Sequence, residues 1–304
     1  MAGDDGIECA VVGGGAAGLS AALVLGRARR RVAVFDVGGQ SNRPAAGVGG
    51  LLGHDGTPPE RLYELARAQL GAYPSVELRD EEVVAARPEV GGFALTGGSG
   101  AATLARRVLL ATGMRYEPPD LPGLEALWGD TVFHCPFCHA WELRDRPLAV
   151  YGRGPEAVHQ ALLLTGWSQD VIVLSDGPAP FDAADRARLR SAGVAIDERR
   201  VARLDAAGGA LRAVVFDDDG ELARAGLLVH APLRRRSRLA EDLGVAFTAA
   251  GTIEVDEWGA TGVPGLYAAG DVAAPIQQVS LAVAAGARAA VAITRELIFG
   301  EGPA

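Results

Sequence analysis

Lysine is absent from the chain. All 29 basic residues among its 304 are arginine, which excludes Schiff-base and nucleophilic lysine chemistry. Cysteine is scarce: three residues cannot build a disulfide scaffold, so any special role for them is chemical. Methionine is limited to Met1 and Met114. No apolar stretch runs far without a Gly, Arg or Asp, so no membrane span is expected. The stretch Met1 to Glu8 is small and acidic, with no basic segment ahead of an apolar one. The expectation is a cytoplasmic chain without a secretory signal. Positive charge is in deficit, with a net charge of −9 and a densest late basic cluster of only Arg234 to Arg236 plus Arg238. A nucleic-acid partner is therefore not expected. What remains is 49% hydrophobic and 22% charged, the composition of a globular chain with a large core. The length suits about two domains.

The first informative segment reads strand, turn, helix, strand. Cys9-Ala10-Val11-Val12 is a short apolar run, followed by Gly13-Gly14-Gly15-Ala16-Ala17-Gly18 and a helical pattern from Leu19 to Leu25. Val32 to Phe35 then leads to Asp36, 18 positions beyond the last of these glycines. This Gly-x-Gly-x-x-Gly spacing with a following acid fits a dinucleotide-binding βαβ unit. Gly13 permits the tight turn, Gly15 lets a pyrophosphate approach the helix N-terminus, and Gly18 lets helix and strand pack closely. Asp36 can accept hydrogen bonds from a ribose.

Two later segments extend this reading. Val108 to Leu110 is a buried-strand pattern ending in the small turn Ala111-Thr112-Gly113. Near the C-terminus, Leu266 to Ala269 ends in Gly270-Asp271, and a helical pattern runs from about Gln278 to Leu297. An acid there can bind a ribityl hydroxyl, and the helix start at Gln278-Val279 can face an electron-rich ring edge. Between these ends lies a second unit, Leu148 to Tyr151, then Gly152-Arg153-Gly154-Pro155-Glu156-Ala157, a helix over His159 to Gly166 and the strand Val171 to Leu174. The expected fold is α/β, with two Rossmann-like domains, the second inserted in the first. The outer domain spans 1–116 plus 244–304 and the central domain 117–243. Pro118-Pro119 and the Arg234 to Arg238 region are the expected hinges.

Just before the second unit sits Phe133-His134-Cys135-Pro136-Phe137-Cys138-His139-Ala140-Trp141-Glu142. Three chemistries compete for it. Zinc needs four convergent ligands, but the His and Cys residues here are chain neighbours. Cys-x-x-Cys-His also spells a c-type haem attachment, which calls for an exported chain and a distal ligand. A redox dithiol fits best. Pro136 belongs in a first helical turn, whose amides favour the reactive thiolate. His139 follows Cys138 directly and can exchange a thiol proton near neutral pH, and His134 is a second candidate.

Taken together, these segments resemble the low-molecular-weight thioredoxin reductases across essentially the whole chain. The resemblance implies a homodimer with FAD in the outer domain and an NADPH-type fold in the central one. Gly13, Gly15, Gly18 and Asp36 would hold the ADP end, Asp271 the ribityl chain, and Gln278-Val279 the flavin. Cys138 would face the flavin and Cys135 the substrate. The departures matter as well. Where those reductases grip a 2′-phosphate with a His-Arg-Arg run, this chain has Leu174-Ser175-Asp176-Gly177-Pro178. An acid there repels a phosphate. Arg153 and Arg186 could compensate, although neither matches the motif. The segment His134 to Glu142 closely resembles a branch of this family, the flavin-dependent dithiol oxidases that close the disulfides of gliotoxin and holomycin with oxygen as the flavin's partner. The resemblance implies a small dithiol of natural-product type as substrate, with oxygen reduced to hydrogen peroxide. Two alternatives stand beside it. One is a thioredoxin reductase fed by NADPH, NADH (which Asp176 would suit) or another donor, with thioredoxin as partner. The other is a flavoprotein sensor whose cysteines only report redox state.

Overall fold

The computed structural model of the protein describes residues 6–300. Met1 to Asp5 of the acidic N-terminal stretch, and residues 301–304 of the expected outer domain, lie outside them.

The strand Ile7–Val12 is buried from its second residue onward, as expected for a parallel strand covered on both faces. It is paired in parallel with Val32–Phe35 on one side and with Ala102–Leu110 on the other. Val76–Arg79 extends the first side. The long strand Ala102–Leu110 has two neighbours on its far side. Its first half pairs antiparallel with Gly92–Gly97, and its last residues pair in parallel with Leu266–Ala268. With Val83–Glu89 added, the sheet has seven strands. Residues from both ends of the chain thus share one sheet.

Two helices cover one face of this sheet, Ala16–Arg27 and Val279–Phe299. The first starts and ends beyond the expected Leu19 to Leu25, and the second starts one residue after the expected Gln278 and ends two after the expected Leu297. Their mutual packing uses small residues: Ala17, Ala21, Ala282, Ala289 and Ala290 share one core cluster with Leu25 and Ile293. A β-carbon on Gly286 would overlap the Ala17 carbonyl, so the crossing depends on a glycine at that position.

A second, five-stranded sheet is all parallel, in the order Ala195–Asp197, Val171–Leu174, Leu148–Tyr151, Gly226–Val229, Val132–Phe133. An antiparallel meander, Val201–Ala207, Ala210–Phe216 and Glu221–Ala223, joins the core on one of its faces through Leu204, Leu211, Val214 and Phe216. The helix after the second glycine motif spans Gly154–Leu164, five residues earlier than expected. Pro155 in its first turn accounts for the early start, because proline is preset for that position. The chain crosses between the two sheets at a two-stranded antiparallel ribbon, Met114–Tyr116 against Leu233–Arg235. The first crossing therefore precedes Pro118-Pro119, and the second overlaps the arginine cluster. Among the described residues, no helix is long and apolar enough to cross a membrane.

Candidate active site

A cavity of about 330 Å³ opens at the carboxyl ends of the outer parallel strands. The first glycine turn forms its floor through Gly13, Gly15, Ala16 and Ala17, and Asp36 stands beside it. Ala111, Thr112 and Gly113 form a second wall. Gly270, Asp271, Gln278 and Val279 form a third. The redox segment closes the cavity with His134, Cys138 and His139. Two expected residues are not in its wall. Gly18 lies within the first helix, where a β-carbon would overlap the Gly13 carbonyl. Cys135 is half-buried outside it and forms a disulfide with Cys138 at a Cα–Cα distance of 5.4 Å.

The floor has the chemistry of a pyrophosphate site. Gly13 has φ of +111°, and a β-carbon on it would overlap the Ala111 carbonyl. Gly15 differs: the nearest atom to its missing β-carbon is Gln40 Cγ at 3.9 Å. Internal packing thus does not require a glycine here, whereas close approach of a ligand does. Gly15 starts the helix without a side-chain cap, and no acid lies in the first turn. The helix amides are therefore open to an anion. Asn42 Nδ2, in the cavity wall, is buried without a partner among the described residues. Its Oδ1 accepts a hydrogen bond from Tyr63 Oη at 2.9 Å.

Asp36 is held firmly. One carboxylate oxygen accepts from the Gly38 amide at 3.0 Å and the other pairs with Arg67 at 3.0 Å. Asp271 has no such partner among the described residues, and burial pushes its pKa up to about 6, with Arg236 opposing. A carboxyl raised from 3.8 stabilises the fold below about pH 4 and loses that contribution as pH rises through 6. The melting temperature of the apoprotein relative to its Asp271→Asn variant is therefore expected to fall from pH 4 to pH 7. Parallel melting curves over that range would assign the effect elsewhere.

The redox segment begins where the edge strand Val132–Phe133 ends. Cys135 precedes a single helical turn, Pro136–His139, and the Cys138 amide donates to the Cys135 carbonyl at 3.2 Å. With one turn the macrodipole is small, and local amides provide the polar stabilisation. Gly49 of the outer domain packs on this turn; a β-carbon on it would stand 2.8 Å from the Cys138 carbonyl oxygen. The third cysteine, Cys9, is fully buried with its thiol pushed up to about 12, so it is inert.

The two histidines differ. The His134 ring lies 3.9 Å from the Tyr116 ring and 5.6 Å from that of Trp128, and all three line the cavity. Burial, with His139 nearby, lowers its pKa to about 4. It stays neutral and is a weak base. Burial also lowers the His139 pKa, opposed by the Cys135 and Gly129 carbonyls. His139 Nδ1 lies 3.4 Å from the Cys135 carbonyl oxygen. Assigning the proton to Nδ1 on this contact leaves the lone pair on Nε2, which is buried and makes no hydrogen bond among the described residues.

The second glycine unit is built differently. Pro155 removes an amide from its helix start and Glu156 puts an acid in the first turn, both adverse to a phosphate. Arg153 Nε donates to the Ser175 carbonyl at 2.6 Å, and Nη2 to that of Asp176. The Asp176 carboxylate accepts from the Val201 amide at 2.9 Å and from Tyr151 Oη at 3.2 Å. Arg186 is paired with Glu198. The acid and the two arginines named from the sequence are thus bonded to the chain itself; a third arginine, the exposed Arg200, stands 3.7 Å from Asp176.

Comparison with known proteins gives the lineage. The family model described as pyridine nucleotide-disulphide oxidoreductase matches residues 7–289. The chain belongs to that family. It is accordingly a flavin-dependent thiol–disulfide oxidoreductase that binds FAD, and the cavity floor fits that cofactor. Thioredoxin reductase aclD of Aspergillus oryzae is 32% identical over 311 residues, covering 97% of each chain. The crystal structure of HlmI is 38% identical with a TM-score of 0.93, covering 98% of this chain and 94% of that one. An oxidoreductase from Agrobacterium tumefaciens is 37% identical with a TM-score of 0.90, covering 97% and 100%.

Sequence reasoning missed several cavity residues, among them Gln40, Asn42, Tyr63, Tyr116, Trp128 and Arg236. They sit on loops, one helix and the crossover ribbon, without motif spacing. The glycine-rich run Gly47-Val48-Gly49-Gly50 was the one available signal that a loop packs closely near the site.

Proposed function

We propose that the protein is an FAD-dependent dithiol oxidase. It closes the disulfide of a small dithiol of natural-product type and passes the electron pair to oxygen. One contrast carries this reading. The redox disulfide borders the cavity of the outer domain, while the nucleotide end of the central sheet is taken up by Arg153, Asp176 and their internal partners. The resemblance of His134 to Glu142 to the gliotoxin and holomycin oxidases supports it. The resemblance to the low-molecular-weight thioredoxin reductases implies a homodimer.

In this mechanism a substrate thiolate attacks Cys135 Sγ and breaks the Cys135–Cys138 bond, releasing Cys138 as a thiolate. The second substrate thiol gives its proton to His139 Nε2. Its sulfur then attacks the substrate sulfur of the mixed disulfide and expels Cys135. The substrate loses two electrons and two protons: one proton leaves when its first thiol ionises, and His139 passes the other to Cys135, so the reduced pair is the Cys135 thiol and the Cys138 thiolate. The second attack is intramolecular within the substrate, so its effective concentration is high. FAD supplies the two-electron acceptor that reoxidises the pair, and oxygen takes those electrons on to hydrogen peroxide. Cys138 belongs on the cofactor side because it lines the cavity, and Cys135 on the substrate side because it does not. His134 orients the segment through its ring contacts.

The direct test is oxygen uptake with a small dithiol. Disulfide, consumed oxygen and released peroxide are expected in equal amounts. Disulfide formation without oxygen uptake would overturn the proposal. His139→Ala is expected to slow turnover by about 10²–10⁴-fold while retaining FAD. Its pH–rate profile should then follow the thiols, whose ordinary pKa is about 8.5. Unchanged turnover would remove His139 as the base.

A further inference from the structure

The arginine cluster of the second crossover has no part in the chemistry above. Arg234 pairs with Glu117 at 2.9 Å and Arg235 with Glu241 at 2.8 Å. Among the described residues, Arg236 forms no ion pair and is the only arginine in the wall of the cavity. Its Nε donates to the Met114 carbonyl at 3.1 Å and its Nη2 to Ser41 Oγ at 3.0 Å. Nη1 makes no hydrogen bond among the described residues, and it stands 3.9 Å from the open β-carbon position of Gly39.

These neighbours place the guanidinium. Gly39 and Ser41 flank Gln40, whose Nε2 donates to the Gly14 carbonyl at 3.1 Å. Gln40 Cγ is also the atom nearest the open side of Gly15. Arg236 therefore rests on the short loop that folds over the uncapped start of the first helix. The electrostatics point the same way. Asp36, the acid nearest the glycine turn, is already paired with Arg67. Asp271 acts on Arg236 only from a distance and is itself pushed toward protonation. A cation with spare donors thus borders a helix start with spare amides, which is the pairing a dianionic pyrophosphate requires.

We propose that Arg236 is a cofactor-binding residue whose guanidinium holds the pyrophosphate of FAD, opposite the amides of the first helix. The inference rests on the cavity binding FAD. It adds that the residue just after the strand returning from the central sheet supplies the positive charge of the phosphate site. The outer-domain motifs supply amides and acids, and this crossover supplies the cation.

The test separates phosphate recognition from general support of the fold. FAD release from the full-length holoprotein is followed by recovered flavin fluorescence. The full-length apoprotein is then titrated with FAD and with riboflavin, which carries no phosphate. The proteins compared are wild type, Arg236→Gln, Arg236→Lys and the control Arg234→Gln. Arg236→Gln is expected to weaken FAD about 10- to 100-fold, as for loss of a charge-assisted contact, and to leave riboflavin affinity within about twofold. Arg236→Lys should recover part of the loss, because it keeps the charge without the fork. Arg234→Gln should match wild type. Equal weakening of FAD and riboflavin, or no change in either, overturns the proposal. Wild-type apoprotein that binds neither ligand would instead contradict FAD binding itself.

Discussion

Cys135→Ser is expected to abolish dithiol oxidation while leaving a long-wavelength charge-transfer absorbance from Cys138 to oxidised flavin. Cys138→Ser is expected to lose both. The asymmetry follows from placement. Cys138 lines the cavity that takes the cofactor, and Cys135 lies outside its wall. A lone Cys138 thiolate can donate charge to a neighbouring flavin but offers no disulfide for a substrate to attack. A lone Cys135 can form a mixed disulfide with an oxidised substrate, yet it has no partner to resolve it. Turnover in either variant should drop to background. The visible spectrum distinguishes the two, and a band in Cys138→Ser but not in Cys135→Ser would reverse the assigned roles.

The parts of the fold legible in the sequence were those where backbone geometry dictates residue type. Gly13 must be glycine because of its positive φ and the Ala111 carbonyl beside it, and so a spacing rule identifies the turn. The Gly270-Asp271 pair is similar: the chain turns at a positive φ and leaves a carboxylate facing the same cavity. Both ends of one sheet could therefore be matched before any contact was known. The meander over residues 201–223 was not identified, because its short strands carry no motif and its burial is set by the central sheet. Cys-x-x-Cys announced redox chemistry, and the family resemblance assigned Cys138 to the flavin side, but spacing alone does not encode which sulfur faces the cavity. That depends on Gly49 letting a distant loop pack onto the helical turn. Tyr116 and Trp128 were invisible for the same reason. Their contact with His134 joins the crossover ribbon to the redox segment, and no periodicity encodes it.

The second large effect concerns the source of electrons. A 2′-phosphate site is already doubtful from the residues alone, since Asp176 stands where the related reductases carry arginines. The structure adds that the Asp176 carboxylate and Arg153 are bonded within the chain, and that Pro155 and Glu156 impair the helix start. A charged hydrogen bond in such a site contributes about 1.5–3 kcal/mol, so two missing arginines weaken NADPH by roughly two orders of magnitude or more. NADH lacks the 2′-phosphate, and Asp176 keeps lone pairs beyond those used by Val201 and Tyr151, so NADH is the stricter nucleotide control.

Anaerobic reduction of the purified yellow protein tests this account most directly. The flavin absorbance near 450 nm is followed after mixing, in separate experiments, with NADPH, NADH and a small dithiol, each at micromolar concentration, and air is then admitted. The account predicts that the dithiol alone bleaches the flavin and that oxygen restores the colour with release of peroxide. Rapid bleaching by micromolar NADPH or NADH, with none by the dithiol, would contradict it and make the protein a pyridine nucleotide-driven reductase.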